Sequence, residues 1–262
     1  MPAIVIIPSR YDSTRFPGKP LCHLLGKPLI QHVYERAKKA RYVQDVFVAT
    51  DNKPIYNIVE GFGGKAIMTS DKHRSGTDRI AEAVSIIHNT LFTIHDSDII
   101  VNVQGDEPMI MPEMIDDVIR LMDDERAEVG TLAKRIENAS EVAYPNIVKV
   151  VFNAEGFALY FSRAPIPYHR DIFKDTGDRI QASEMREINM FKHIGIYAFK
   201  KYALIKFSSL SPTNLEEIEK LEQLRALENG FSIKVKETAF ETIGVDTPMD
   251  LERVTKCLST SL

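Results

Sequence analysis

Glycine-rich phosphate loops are missing from this 262-residue chain. Neither G-x-x-x-x-G-K-[ST] nor G-x-G-x-x-G follows its first strand pattern, which excludes the P-loop and dinucleotide-fingerprint routes to a phosphate site. A phosphate cradle here has to rest on side-chain charge. Cysteine is scarce: Cys22 and Cys257 lie far apart without a C-x-x-C partner. A structural disulfide or zinc site does not follow from that spacing, and a reducing cytoplasm suits it. No apolar run approaches the length of a membrane span and the chain opens directly on a strand pattern, so the expectation is a cytoplasmic protein without membrane insertion. A strong charge of one sign is lacking too. The net charge is -4, which argues against nucleic acid as a partner and makes the basic residues a local feature. The 44% hydrophobic content supports a real core, in one large α/β domain or a domain with an appendage.

What the chain does have is concentrated near its start. Ala3-Ile-Val-Ile-Ile-Pro8 is a mainly β-branched run that reads as a buried strand. Arg10, Arg15 and Lys19 follow within ten residues, around a Pro17-Gly18 turn, and a helical pattern comes next. Cations held at the carboxyl end of a first strand sit where open α/β sheets bind ligands. Leu29, Ile30, Val33, Tyr34 and Ala37 recur at helical spacing, and Val46-Phe-Val-Ala49 is a second strand, so the chain begins as a right-handed βαβ unit. Asp51 or Asn52 caps the next helix, which the glycines at 61, 63 and 64 end. Ser75-Gly-Thr-Asp-Arg79 opens a further amphipathic helix, its free N–H groups available to a ligand or simply capped.

Ile99-Ile-Val-Asn-Val103 is almost wholly apolar and reads as a central strand, with Gln104-Gly-Asp-Glu-Pro108 at its end. From about 130 to 200 the pattern is β-rich, with a hairpin turn at Asn153–Gly156, a polar irregular stretch over 168–190 and a strand from His193 to Phe199. A single helix is expected over Pro212–Leu227, and a last one begins at Pro248 after Gly244-Val-Asp-Thr. No repeat or linker composition divides the chain, which predicts one domain over 1–262.

Asp106 and Asp246 both sit in Gly-flanked turns, far apart in sequence. Two such carboxylates could share one Mg²⁺ against phosphate oxygens, although Asp246 could equally cap the last helix. A nucleoside triphosphate carries about four negative charges, and Arg10, Arg15, Lys19 and one Mg²⁺, less the two aspartates, leave the site near-neutral. Leu215, Glu219, Gln223 and Leu227, spaced by four, form one ridge that could offer Glu219 and Gln223 to sugar hydroxyls. Ile218, Leu221 and Leu224 supply an alternative buried face. Arg163 ends one strand and His193 opens another, and an Arg with a nearby His suits an acidic sugar's carboxylate. His73, His88 and His169 show no metal-ligand spacing.

Taken in order, Ile-Pro-Ser-Arg-Tyr-Asp-Ser-Thr-Arg-Phe-Pro-Gly-Lys-Pro-Leu, Val-Ala-Thr-Asp, Ser-Gly-Thr-Asp-Arg, Val-Asn-Val-Gln-Gly-Asp-Glu-Pro, Ala-Leu-Tyr-Phe-Ser-Arg-Ala, His-Ile-Gly-Ile-Tyr, Leu-Glu-Gln-Leu-Arg and Gly-Val-Asp-Thr-Pro resemble the 3-deoxy-manno-octulosonate (Kdo) cytidylyltransferases. The resemblance runs from the first strand to the last helix. It implies a nucleotide-diphospho-sugar transferase-like fold, α/β with a mostly parallel central sheet and helices on both faces, plus a small β-rich excursion for dimerisation. It implies transfer of CMP from CTP to Kdo with Mg²⁺ and release of pyrophosphate, for lipopolysaccharide precursor supply, by a homodimer. Ser9, Arg10, Arg15, Lys19, Ser75, Gly76, Thr77 and Gln104 would bind nucleotide, and Asp106 and Asp246 would bind the metal, with Arg10, Lys19, Asp106 and Asp246 carrying catalysis. Gln104, Arg163, His193, Tyr197, Glu219 and Gln223 would form the sugar side. The charged stretch over 171–187 departs from the family pattern. A sialate cytidylyltransferase, an enzyme for an amino-substituted Kdo, and a nucleotide-binding regulator without turnover are the alternatives, and a difference of one sugar substituent is not readable from sequence.

Overall fold

The computed structural model of the chain describes residues 3–12, 16–170 and 189–259. Strands β1 (Ala3–Pro8), β4 (Val43–Thr50), β5 (Ala66–Met68) and β6 (Ile99–Asn102) are mutually parallel, and β2 (His23–Leu24) and β3 (Lys27–Pro28) make a small separate hairpin. The main sheet runs β11 (Ile233–Glu237), β7 (Val129–Arg135), β10 (Phe191–Lys200), β6, β1, β4, β5. β10 is antiparallel to both β6 and β7, and β11 is parallel to β7. β8 (Lys149–Phe152) pairs with β10 and with β9 (Ala158–Ser162). The described strands of the β-rich stretch therefore extend the main sheet.

β1 shows why the sheet is covered on both faces. Alternate side chains of a strand point to opposite sides, and Val5 and Ile7 enter one core while Ile4 and Ile6 enter the other. The first core is closed by α1 (Leu29–Ala37), α2 (Lys53–Gly61), α4 (Pro112–Leu121) and α9 (Pro248–Ser259). The second is closed by α3 (Gly76–Thr90), α6 (Lys201–Ser208) and α8 (Gln223–Glu228). A doubly covered strand cannot alternate apolar with polar, hence the unbroken apolar runs of β1 and β6.

The expected helix over Pro212–Leu227 is two helices, α7 (Asn214–Glu219) and α8, with the four-residue α5 (Ala139–Val142) elsewhere. Lys220 stands between them in the left-handed region at φ 54°. That turn destroys the four-residue ridge, and it leaves Ile218 69% exposed while Leu221 and Leu224 are buried. Asn52, not Asp51, caps α2 through Ile55 N–H. The stretch 171–188, with its departure from the family pattern, and Arg15 lie outside the described residues.

Candidate active site

β1 and β6 are neighbours, but the chain leaves β1 toward β4 and β5 before returning to β6 on β1's other side. Such a reversal opens a crevice at the carboxyl ends of the two strands. A cavity of about 630 Å³ lies there, lined by Ser9 and Arg10 after β1, Gln104, Gly105 and Asp106 after β6, Ser75 and Gly76 at the start of α3, and Lys19 and Asp246. Gly105 is required: a Cβ there would lie 2.9 Å from the Pro8 carbonyl. Without side-chain bulk the β6 turn passes directly over the end of β1 and aims Asp106 into the cavity.

Lys19 is delivered by a 3₁₀ turn, Lys19–Leu21, that starts from left-handed Gly18, whose N–H bonds the Tyr11 carbonyl at 3.0 Å. Its Nζ donates to Asp106 Oδ2 at 2.6 Å and to Asp246 Oδ1 at 3.1 Å. One positive atom thus touches two carboxylates 140 positions apart. Burial alone would lower the lysine's pKa, but the two carboxylates outweigh it and the ammonium is held above its ordinary value. The two acidic loops are also tied by backbone, Val245 N–H donating to the Asp106 carbonyl at 2.8 Å. Capping of α9 falls to other residues. Asp250 accepts from the N–H groups of Asp246 and Thr247, and Thr247 Oγ1 accepts from Asp250 N–H, which leaves the Asp246 carboxylate to face Lys19.

Glu107 stands directly behind this cluster. Burial first, then the Asp106 charge, pushes its carboxyl up to about 7, and its Oε2 has no hydrogen-bond partner among the described residues. Sequence reasoning passed over it because a Glu in an Asp-Glu-Pro turn looks solvated.

At the start of α3, Ser75 accepts from Asp78 N–H at 3.2 Å and caps the helix, while Ser75 and Gly76 line the cavity. Thr77 does not line it; its hydroxyl donates to Glu222 at 2.7 Å. Glu222, at the head of α8, is another residue the sequence did not single out. Burial raises its pKa against the hydrogen bonds from Thr77 and Ser75. The signal was present as the Glu of Leu-Glu-Gln-Leu-Arg, but the helical ridge drew attention three residues upstream. Arg74, His73 and Arg79 also line the cavity. Arg79 is held by Thr69 Oγ1 at 2.6 Å and Asp51 Oδ2 at 2.5 Å, so the ends of β4 and β5 are tied to α3.

The sugar-side residues divide. His193 and Tyr197 meet with tilted rings 5.3 Å apart between centroids on β10, and Phe161 meets His193 edge-on at 5.1 Å. His193 Nε2 pairs with Thr131 Oγ1 at 3.0 Å. Burial lowers the imidazole to about 3, so it is neutral, and burial with the Glu222 charge raises the Tyr197 phenol. Gln223, beside Glu222, is buried. Arg163 and Glu219 are instead spent on each other's neighbourhood. Glu219 accepts from Ser162 Oγ at 2.6 Å and Arg163 N–H at 2.9 Å, and the Arg163 guanidinium donates to the carbonyls of Glu219, Pro145 and Lys220. These bonds lock the β9 end onto the α7–α8 turn and engage the Arg163 guanidinium with backbone carbonyls.

A family model described as Cytidylyltransferase matches residues 4–238. The 3-deoxy-manno-octulosonate cytidylyltransferase of Thermodesulfovibrio yellowstonii is 55% identical over 260 residues, 99% of each chain. The chain belongs to the 3-deoxy-manno-octulosonate cytidylyltransferase family. Its counterpart in Geotalea uraniireducens is 52% identical, covering 97% of this chain and 98% of that one. A solved CMP:2-keto-3-deoxy-manno-octonic acid synthetase complexed with CTP superposes with a TM-score of 0.87 at 43% identity, over the whole of both chains. The doubly covered, mostly parallel sheet is that of this cytidylyltransferase family, and among the described residues no helix is long and apolar enough to cross a membrane.

Proposed function

We propose that the protein transfers CMP from CTP to Kdo and releases pyrophosphate. The observation that carries this reading is the meeting of Asp106 and Asp246 on one cation inside the β1–β6 cavity, in a chain 43% identical to a synthetase solved with CTP. Arg10 and Lys19 bind the phosphates, Ser75 and Gly76 present the α3 start to the nucleotide, and Gln104 lies between nucleotide and sugar. Arg15, outside the described residues, would add a third cation by its place in the sequence. Glu222 joins His193, Tyr197 and Gln223 on the acceptor side. The anomeric hydroxyl oxygen of Kdo attacks the α-phosphorus; the bond from that phosphorus to the bridging oxygen breaks, pyrophosphate leaves, and the hydroxyl proton passes to water.

Mg²⁺ fits the donor set, since two carboxylates already converge on one positive atom, and Asp106 and Asp246 would hold it. When bound, it would offset charge on the phosphates and lower the pKa of the attacking hydroxyl. His193, held neutral by burial, keeps the acceptor pocket free of an extra charge. The reaction would serve lipopolysaccharide precursor supply in the cytoplasm. A homodimer is supported by large apolar side chains left exposed in the β-rich half, Tyr144, Leu159 and Tyr168 among them, and sedimentation of the purified protein tests it. The activity is tested by pyrophosphate release with each of the four nucleoside triphosphates against Kdo, its amino-substituted analogue and sialic acid. CTP with Kdo is the expected productive pair; turnover confined to sialic acid, or none with CTP, defeats the reading.

A further inference from the structure

Phosphate binding does not account for where the Lys19 ammonium sits. Its ammonium joins the two carboxylates that the proposed reaction gives to a divalent ion. The side chain is only 14% exposed and its backbone is set by the Gly18 turn, so the charge is delivered into the seat and does not trail in solvent. The carboxylates are held near each other by the Val245–Asp106 backbone bond whatever lies between them. Glu107 adds a third carboxyl behind them. Carboxylates this close repel unless positive charge stands near, and Lys19 contacts both.

We propose that Lys19 is a placeholder: in the free protein it occupies the divalent ion's seat and excludes the ion until a triphosphate draws the ammonium away. The inference rests on reading Asp106 and Asp246 as the metal carboxylates. An ammonium and a divalent ion at contact distance from the same two oxygens repel each other strongly. A triphosphate removes that conflict, because its oxygens accept the lysine's charge-assisted hydrogen bonds and the lysine exchanges one anionic partner for another. Metal and nucleotide then load together, and the ion does not fill the site while CTP is absent.

The test uses Mn²⁺ as the probe, with the unbound ion read by electron paramagnetic resonance on the full-length protein without nucleotide. Wild type should bind weakly. Lys19→Met and Lys19→Gln, checked for folding by circular dichroism, should bind roughly 10-fold tighter or better, since each removes the competing charge. Lys19→Arg, which keeps the charge, should stay near wild type. Equal affinity in wild type and both neutral variants overturns the placeholder. Adding Asp106→Asn to Lys19→Met separates the two readings: loss of the tightened binding upholds the carboxylate seat, whereas Mn²⁺ binding indifferent to that change removes the metal assignment itself.

Discussion

The cavity at the ends of β1 and β6 and the polar layer between β10 and α8 are both made of hydrophilic side chains on one sheet. They differ in where those side chains leave the backbone. Arg10, Gln104 and Asp106 lie just past the last ladder bonds, where the chain turns away and opens a volume of about 630 Å³. His193 and Tyr197 stand within β10, which is paired along both edges, so their polar atoms meet Thr131 and the field of Glu222. Strand ends yield an open, charged cleft; strand interiors yield a closely packed layer that burial keeps neutral. On the proposed reading, the cleft is ready for a highly charged ligand, and the layer around His193 and Tyr197 would select by shape and hydrogen bonding.

The sharpest way to break the contrast is at the cleft. Asp106→Asn and Asp246→Asn should each cut pyrophosphate release by roughly 1,000-fold, about 4 kcal/mol of transition-state stabilisation, with an unchanged circular dichroism spectrum. Near-normal turnover would remove the cleft from the chemistry.

Next is the opposite pH response of the two regions. The Glu107 carboxyl is raised to about 7 from 4.5, so the folded state binds more protons than the unfolded one between those values. Stability therefore falls as pH rises across that window, by up to about 3 kcal/mol. Metal-free Glu107→Gln should gain on wild type in urea melts at pH 8 and lose that advantage at pH 4.5; a pH-independent difference would contradict the raised carboxyl.

His193 runs the other way. Its folded value lies near 3, below the ordinary 6.5, so the unfolded state takes up the proton first and stability is lost as pH falls from 6.5. With the imidazole enclosed, the expected cost at pH 5 is about 2 kcal/mol. His193→Phe keeps the ring contacts and should flatten that acid slope; an undiminished slope would place the titrating group elsewhere.

The smallest effect is expected at Glu219. Glu219→Gln should leave the KM for Kdo within twofold and lower stability by about 1 kcal/mol or less through weaker bonds to Ser162 and Arg163. A tenfold rise in that KM would return Glu219 to the acceptor side.

Much of the framework was legible in the chain. The β1 and β6 runs, the cation-rich loop after β1, the cap at Ser75 and the helix start at Pro248 are local patterns, and local sterics enforce them. The α7–α8 region misled because periodicity continues across a break. Nothing in Glu219-Lys220-Leu221 announces a left-handed Lys220, yet the chain turns there, with Glu219 bonded to Arg163 and Glu222 to Thr77 at the start of α3. His73 lines the cavity although its spacing carried no signal.

By itself, the order of residues determined which segments are strands and helices, which faces are apolar and where positive charge gathers, because each depends on neighbours within a few positions. Only the tertiary structure decided that Lys19, Asp106 and Asp246, separated by 87 and 227 positions from the lysine, share one point in space. Electrostatic contact acts through distance and not along the chain, so the grouping exists only once β1, β6 and the start of α9 have been packed together.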